Sequence, residues 1–93
     1  MKEALAKEIA EQLKPSFLAI IDNSHLHAGH KGNTRNVNSH FKARICSELF
    51  QELSLVKRHQ LVNKICKPFF EKGIHALEIE ALTQIEWGKK YGK

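Results

Sequence analysis

The amino-acid pattern predicts one α/β (α+β) domain spanning residues 1–93. Its order is α-β-β-α-β-α, with a three-stranded mixed sheet and the helices packed on one face. Three observations predict it. Ninety-three residues leave room for one modest hydrophobic core and no second domain. Apolar residues recur at helical spacing near the start and past the middle of the chain, and at strand spacing in three shorter segments. The long helix separates the second and third of those strands and permits a right-handed crossover. Strands two and three therefore run parallel, and one and two pair antiparallel.

Residues 2–14 form the first helix, with Leu5, Ile9 and Leu13 at i, i+4 and i+8 and Ala6 and Ala10 beside them. Glu3 and Lys7 make a favourable i, i+4 pair. Pro15 ends the helix, because its ring pushes the preceding residue out of the helical region. Phe17-Leu18-Ala19-Ile20-Ile21 is a short apolar run and reads as a buried strand. Asp22-Asn23-Ser24 close it. From His25 to Ser39 no period is visible, and Gly29, Gly32 and three asparagines punctuate a loop. A loop of fifteen residues is long for a small domain, and such loops are more often functional or disordered.

Phe41, Ala43 and Ile45 alternate with Lys42 and Arg44, which predicts a half-buried strand with one wet face. Glu48 to Leu53 is an irregular link containing Phe50. Ser54 suits an N-cap. Residues 55–70 carry Leu55, Val62, Cys66 and Phe69 in one stripe flanked by Leu61 and Ile65, and form the second helix, with Pro68 placed to kink its last turn. Gly73 suits the position that closes a helix. From Ile74 to Leu82 the chain alternates again. His75, Leu77, Ile79 and Ala81 share one face of a third strand, and Glu78 and Glu80 lie on the other. Thr83-Gln84-Ile85-Glu86 fits a capping box, so a final short helix carries Ile85 and Trp87, its end weakened by Gly88 and Gly92.

The composition is ordinary for a globular protein, with 42% apolar and 27% charged residues. No apolar run reaches membrane-spanning length, and the alternating charges of the first residues do not follow the order of a secretory signal. A cytoplasmic location is expected, with no membrane partner. The net charge of +5 favours acidic partners, although Lys89, Lys90 and Lys93 supply much of it near one end. Cys46 and Cys66 both fall in apolar-periodic segments and read as small buried hydrophobes. With no CxxC pair, neither a thioredoxin-type motif nor a zinc ribbon is supported.

Four of the six histidines, His25, His27, His30 and His40, lie within sixteen positions. Closely spaced imidazoles can converge on a borderline metal, although loops also carry histidine simply as a polar residue. His75 opens the third strand. On pattern alone it is a core or rim histidine, unless the loop after the first strand lies at the same end of the sheet. Nucleophilic catalysis finds no support, since no elbow motif surrounds any serine and neither cysteine has an activating pattern. No glycine-rich phosphate loop occurs. The element order evokes the KH class of nucleic-acid binders, but the GXXG clamp is missing. Lys57, Arg58 and Lys64 give the second helix a basic side, which in most proteins is only a solvated face.

Residues 50–62, Phe50-Gln51-Glu52-Leu53-Ser54-Leu55-Val56-Lys57-Arg58-His59-Gln60-Leu61-Val62, resemble the signature of the BolA family: an aromatic, a turn, L-V-x-R-H and a further apolar pair. Ser39-His40-Phe41-Lys42 resembles that family's S-H-F-K strand start. Gly73-Ile74-His75-Ala76-Leu77 resembles its V-H-A-L segment, and Thr83 to Trp87 its closing T-x-x-E-W. Asp22 to His30 resembles its histidine-bearing loop. The resemblance covers nearly the whole chain, in order.

What the resemblance implies is a class II KH-like fold and a non-enzymatic partner of monothiol, CGFS-type glutaredoxin. The pair shares a bridging [2Fe–2S] cluster with glutathione, and no cofactor is expected in the isolated protein, a monomer or weak homodimer when free. One ligand is implied to be His75. The other comes from the loop after strand one, where the family divides into histidine and cysteine types. This loop has no cysteine. His27 falls at the family position and His30 is the alternative. His40 matches the strand-start histidine, for which a structural role is expected. Imidazole ligation raises a cluster's potential and suits a labile, transferable cluster.

The alternative implied function is DNA-binding transcriptional regulation through the helix-turn-helix-like region, using Lys57, Arg58 and Lys64 with the Lys89–Lys93 tail; in the glutaredoxin reading the same basic helix helps to dock the partner. The chain departs from the family pattern there, with Glu52 where glycine is usual and Gln60 where arginine is frequent. An added acid and a lost base weigh against DNA more than against the cluster. The segment Asn33 to Asn38 also lengthens the histidine loop relative to the commoner form.

Overall fold

The computed structural model describes residues 1–23 and 40–92. The first helix, α1 (Lys2–Leu13), buries Leu5, Ile9 and Leu13, the expected i, i+4, i+8 stripe. It stops at Lys14, which takes a left-handed conformation with φ 45° and returns its N–H to the Ala10 carbonyl just before Pro15. Strand β1 (Phe17–Asp22) follows, then β2 (His40–Cys46), a single 3-10 turn (Glu48–Phe50), α2 (Leu55–Glu71), β3 (Ala76–Leu82) and α3 (Gln84–Tyr91).

The sheet has the order β1-β2-β3. β1 pairs antiparallel with β2 and places Ile20 opposite Ala43, while β2 pairs parallel with β3 and places Phe41 opposite Leu77. This is the mixed sheet the pattern predicts. Alternation along β2 sends Phe41, Ala43 and Ile45 to the core, where they meet Leu5 and Ile9 of α1 and Val62, Cys66 and Phe69 of α2. Phe50, the last residue of the 3-10 turn, is fully buried in the same core.

Three expectations need correction. The helices do not all lie on one face. α1 and α2 cover the core face, but Trp87 and Tyr91 of α3 reach the opposite one. Trp87 packs on Phe17 at a ring-centroid distance of 4.5 Å. Tyr91 lies against Arg44 and hydrogen-bonds Glu80. The cause is the spacing of these two aromatics, one helical turn apart, which gives α3 an apolar edge matched to the exposed Phe17.

Leu55 does not belong to the buried stripe. At the first turn of α2 it is 63% exposed, and the buried residue there is Arg58. The strand β3 starts at Ala76, one residue after His75, so His75 is exposed and does not share the core face with Leu77 and Ile79. Pro68 lies inside α2 on its solvent side, and the helix runs three residues past it.

Candidate functional site

The end of α2 explains where His75 stands. Gly73 adopts φ 127°, donates to the Phe70 carbonyl at 3.2 Å, and the next N–H, that of Ile74, reaches back to Phe69 O at 3.2 Å. This pair of bonds is a Schellman closure, with Ile74 as the apolar residue that turns inward. Ile74 is 3% exposed. Backbone that drives Ile74 into the core leaves its neighbour His75 outside, just before the first ladder pair, His40 opposite Ala76.

The His75 ring meets the His40 ring edge-on, with centroids 6.1 Å apart and planes at 85°. His40 is the first residue of β2, and its carbonyl accepts the Asn23 N–H at 2.8 Å. Asn23 and His40 flank residues 24–39. Both ends of the histidine-bearing segment are therefore at the same end of the sheet as His75. His25, His27 and His30, including both loop-ligand candidates, lie outside the described residues.

Among the described residues, no group of three or more His, Cys, Asp or Glu side chains could hold a metal ion. Both cysteines are buried and unpaired. Burial, aided by the charge of Glu8, pushes the Cys66 thiol up to about 11, so it is not a thiolate near neutral pH. His75 is thus an exposed imidazole at the sheet end, a residue type able to ligate a borderline metal. This fits histidine ligation and does not fit cysteine ligation by Cys46 or Cys66.

The basic residues of α2 separate. Lys57 and Lys64 are exposed. Arg58 is 6% exposed, which corrects its assignment to a partner or nucleic-acid surface. Its Nε donates to Leu53 O at 3.0 Å, and Nη1 to Ala81 O at 3.1 Å and to Glu86 Oε1 at 2.6 Å. Nη2 adds Glu86 Oε2 at 3.2 Å, making the pair two-pronged. Glu86 also accepts the Thr83 N–H at 2.9 Å in the capping box expected from the sequence. The Arg58 hydrogen bond first, then that of the Thr83 backbone, lower its carboxyl from 4.5 to about 2. Sequence reading found the capping box but not Arg58 as its partner. The available signal was an arginine on the α2 stripe four residues before Val62.

On the second face Lys42 pairs with Glu78 at 3.7 Å. Arg44 Nε lies 3.2 Å from Glu80 Oε1, close enough for attraction but without hydrogen-bond alignment. Burial raises the Glu80 carboxyl, yet hydrogen bonds from Lys90 and Tyr91 and the Lys90 and Lys42 charges outweigh it and hold it below its usual range. Three of the chain's cations on that face, Lys42, Arg44 and Lys90, are thus already matched by acids. No helix among the described residues is long and apolar enough to cross a membrane.

Fold and site together define a small α+β domain whose mixed sheet presents a histidine pair at one end. Residues 9–86 match the family of BolA-like proteins. A BolA-like protein of Dictyostelium discoideum is 44% identical over 90 residues, covering 96% of this chain and 72% of that protein. The DNA-binding transcriptional regulator BolA of Vibrio cholerae is 34% identical, covering 94% of this chain and 78% of its own length. The structure of BolA1 from Arabidopsis thaliana superposes with a TM-score of 0.82 at 36% identity, covering 92% of this chain and 94% of that one. The chain belongs to the BolA-like family.

Proposed function

We propose that this protein is a non-enzymatic partner of a monothiol, CGFS-type glutaredoxin and contributes histidine ligation to a bridging [2Fe–2S] cluster during iron–sulfur cluster assembly or transfer, or in iron homeostasis. The observation that carries the reading is the exposed His75 ring at the sheet end where residues 24–39 begin and finish. His75 is one ligand, and His27, or His30 in its place, is the second. Glutaredoxin and glutathione supply thiolates. Mixed thiolate and imidazole ligation leaves the cluster easier to release than four thiolates would.

The test mixes the protein with a CGFS glutaredoxin, glutathione, iron and sulfide, and records visible absorption and circular dichroism against glutaredoxin alone. A new spectrum is expected, and His75→Ala abolishes it while the far-UV spectrum of the free protein stays native. A spectrum indifferent to His75→Ala removes His75 as a ligand.

A second reading, DNA-binding regulation, is favoured by the name of the Vibrio relative. Here it would rest on Lys57 and Lys64 without Arg58. Binding of duplex DNA, followed by fluorescence anisotropy, would then weaken steeply with salt, and the double variant Lys57→Gln/Lys64→Gln would lower the salt slope by about two. A slope unchanged in that variant rejects this surface.

A further inference from the structure

We propose that His40 is a positioning residue for His75. Its ring forms a fixed wall against which the exposed imidazole settles in one orientation. The inference rests on the ligand role proposed for His75 and assigns to His40 no contact with the cluster itself.

The two histidines are held by different means. His40 is inside the ladder. It faces Ala76 across the parallel β2–β3 pair, and its carbonyl accepts the N–H of Asn23 from the end of β1. Its backbone is therefore tied to both neighbouring strands, and its side chain is half-buried. His75 precedes the ladder, follows the Schellman closure and is exposed. Left to itself, such a side chain would divide among staggered χ1 wells. The contact that limits it is the His40 ring, 6.1 Å away between centroids and nearly perpendicular at 85°. Edge-to-face packing of this kind is the preferred arrangement for two aromatic rings. A ligand that must meet metal at a fixed angle across a protein interface gains from being set before the partner arrives. Groups that orient a ligand commonly matter to affinity nearly as much as ligands do.

Arg58, Glu86, Glu80 and both cysteines are accounted for by packing and pairing.

The experiment compares His40→Ala, His40→Phe and His75→Ala, with His40→Leu to keep the volume without a ring. In the free protein, three-bond couplings measured by NMR report the χ1 distribution of His75. In the glutaredoxin complex, visible circular dichroism and the rate of cluster loss report the ligand. His40→Ala and His40→Leu are expected to average the His75 couplings and to speed cluster loss about tenfold. His40→Phe, which keeps a flat ring but no nitrogen, restores both. Unchanged His75 couplings in His40→Ala overturn the proposal. So does a His40→Phe spectrum as thoroughly lost as that of His75→Ala, because His40 would then be a ligand. If His75→Ala leaves the cluster spectrum untouched, the ligand reading fails by itself, and the couplings still decide whether His40 orients the ring.

Discussion

A guanidinium withdrawn from water must find acceptors, because a buried unpaired charge costs several kcal/mol. Arg58 finds four bonds, two to the carbonyls of Leu53 in the turn before α2 and of Ala81 near the end of β3, and two to one carboxylate. Removing Glu86 leaves the carbonyl bonds but strands the charge. Glu86→Gln is expected to cost roughly 2 kcal/mol in urea unfolding near neutral pH, less than a fully enclosed pair because the Glu86 side chain stays 42% exposed. The pH dependence has a definite sign. The folded carboxyl titrates at about 2 and the ordinary one at 4.5. Stability from this pair is therefore fully present above the ordinary value and is lost as pH falls through the folded one. The difference between wild type and Glu86→Gln should shrink steadily between about pH 5 and pH 2. A constant gap across that range would mean that the lost stability is packing and not charge.

At the scale of elements, the junction between α2 and β3 decides the site. Gly73 holds φ 127°, and a Cβ built there meets nothing within 4 Å. The cost of a side chain is then conformational and not steric. Gly73→Ala should lower stability by about 1–2 kcal/mol, read by chemical denaturation, and should disturb the His75 ring signals more than those of α1. An unaltered midpoint would mean that the closure relaxes without strain. Such local devices are legible from sequence, since Gly73, the Ser54 cap and the Thr83–Glu86 capping box all depend on neighbours a few residues apart. Four of the six main elements were legible through periods of 3.6 and 2, β1 as a short apolar run and α3 through its capping box. What escaped depends on distant pairing. Arg58 reads as a solvent charge until Glu86, 28 positions on, is known to face it. Leu55 fits the α2 stripe by angle, yet stands at the helix end, where nothing covers it enough to bury it. The His40–His75 contact emerges only when Phe41 is aligned with Leu77. The loop-histidine assignment, which falls outside the described residues, rests solely on the family resemblance, because an aperiodic segment carries no spacing rule.

For the whole molecule, the question is whether α3 belongs to the same cooperative unit as the two-helix core. Its eight residues are too few to be stable as an isolated helix. Two sets of contacts hold it from opposite sides of the sheet. Glu86 is fastened to Arg58 of α2, while Trp87 and Tyr91 press on Phe17, Arg44 and Glu80 of the strands. Detaching α3 would strand the Arg58 charge on the core side and uncover the aromatic layer on the other, so it is not free to leave alone. A domain of this size has only about 5–14 kcal/mol of net stability, and a loss of both contacts would consume much of it. Trp87 is the chain's single tryptophan, so its fluorescence reports this helix alone, while far-UV circular dichroism is dominated by α1 and α2. Urea transitions followed by the two signals should coincide in midpoint and slope, as expected of a two-state domain. In Glu86→Gln both should move to lower urea together. A fluorescence transition preceding the dichroism would show that α3 peels from the sheet first, and that the Arg58 ion pair joins two units where a single cooperative one is expected.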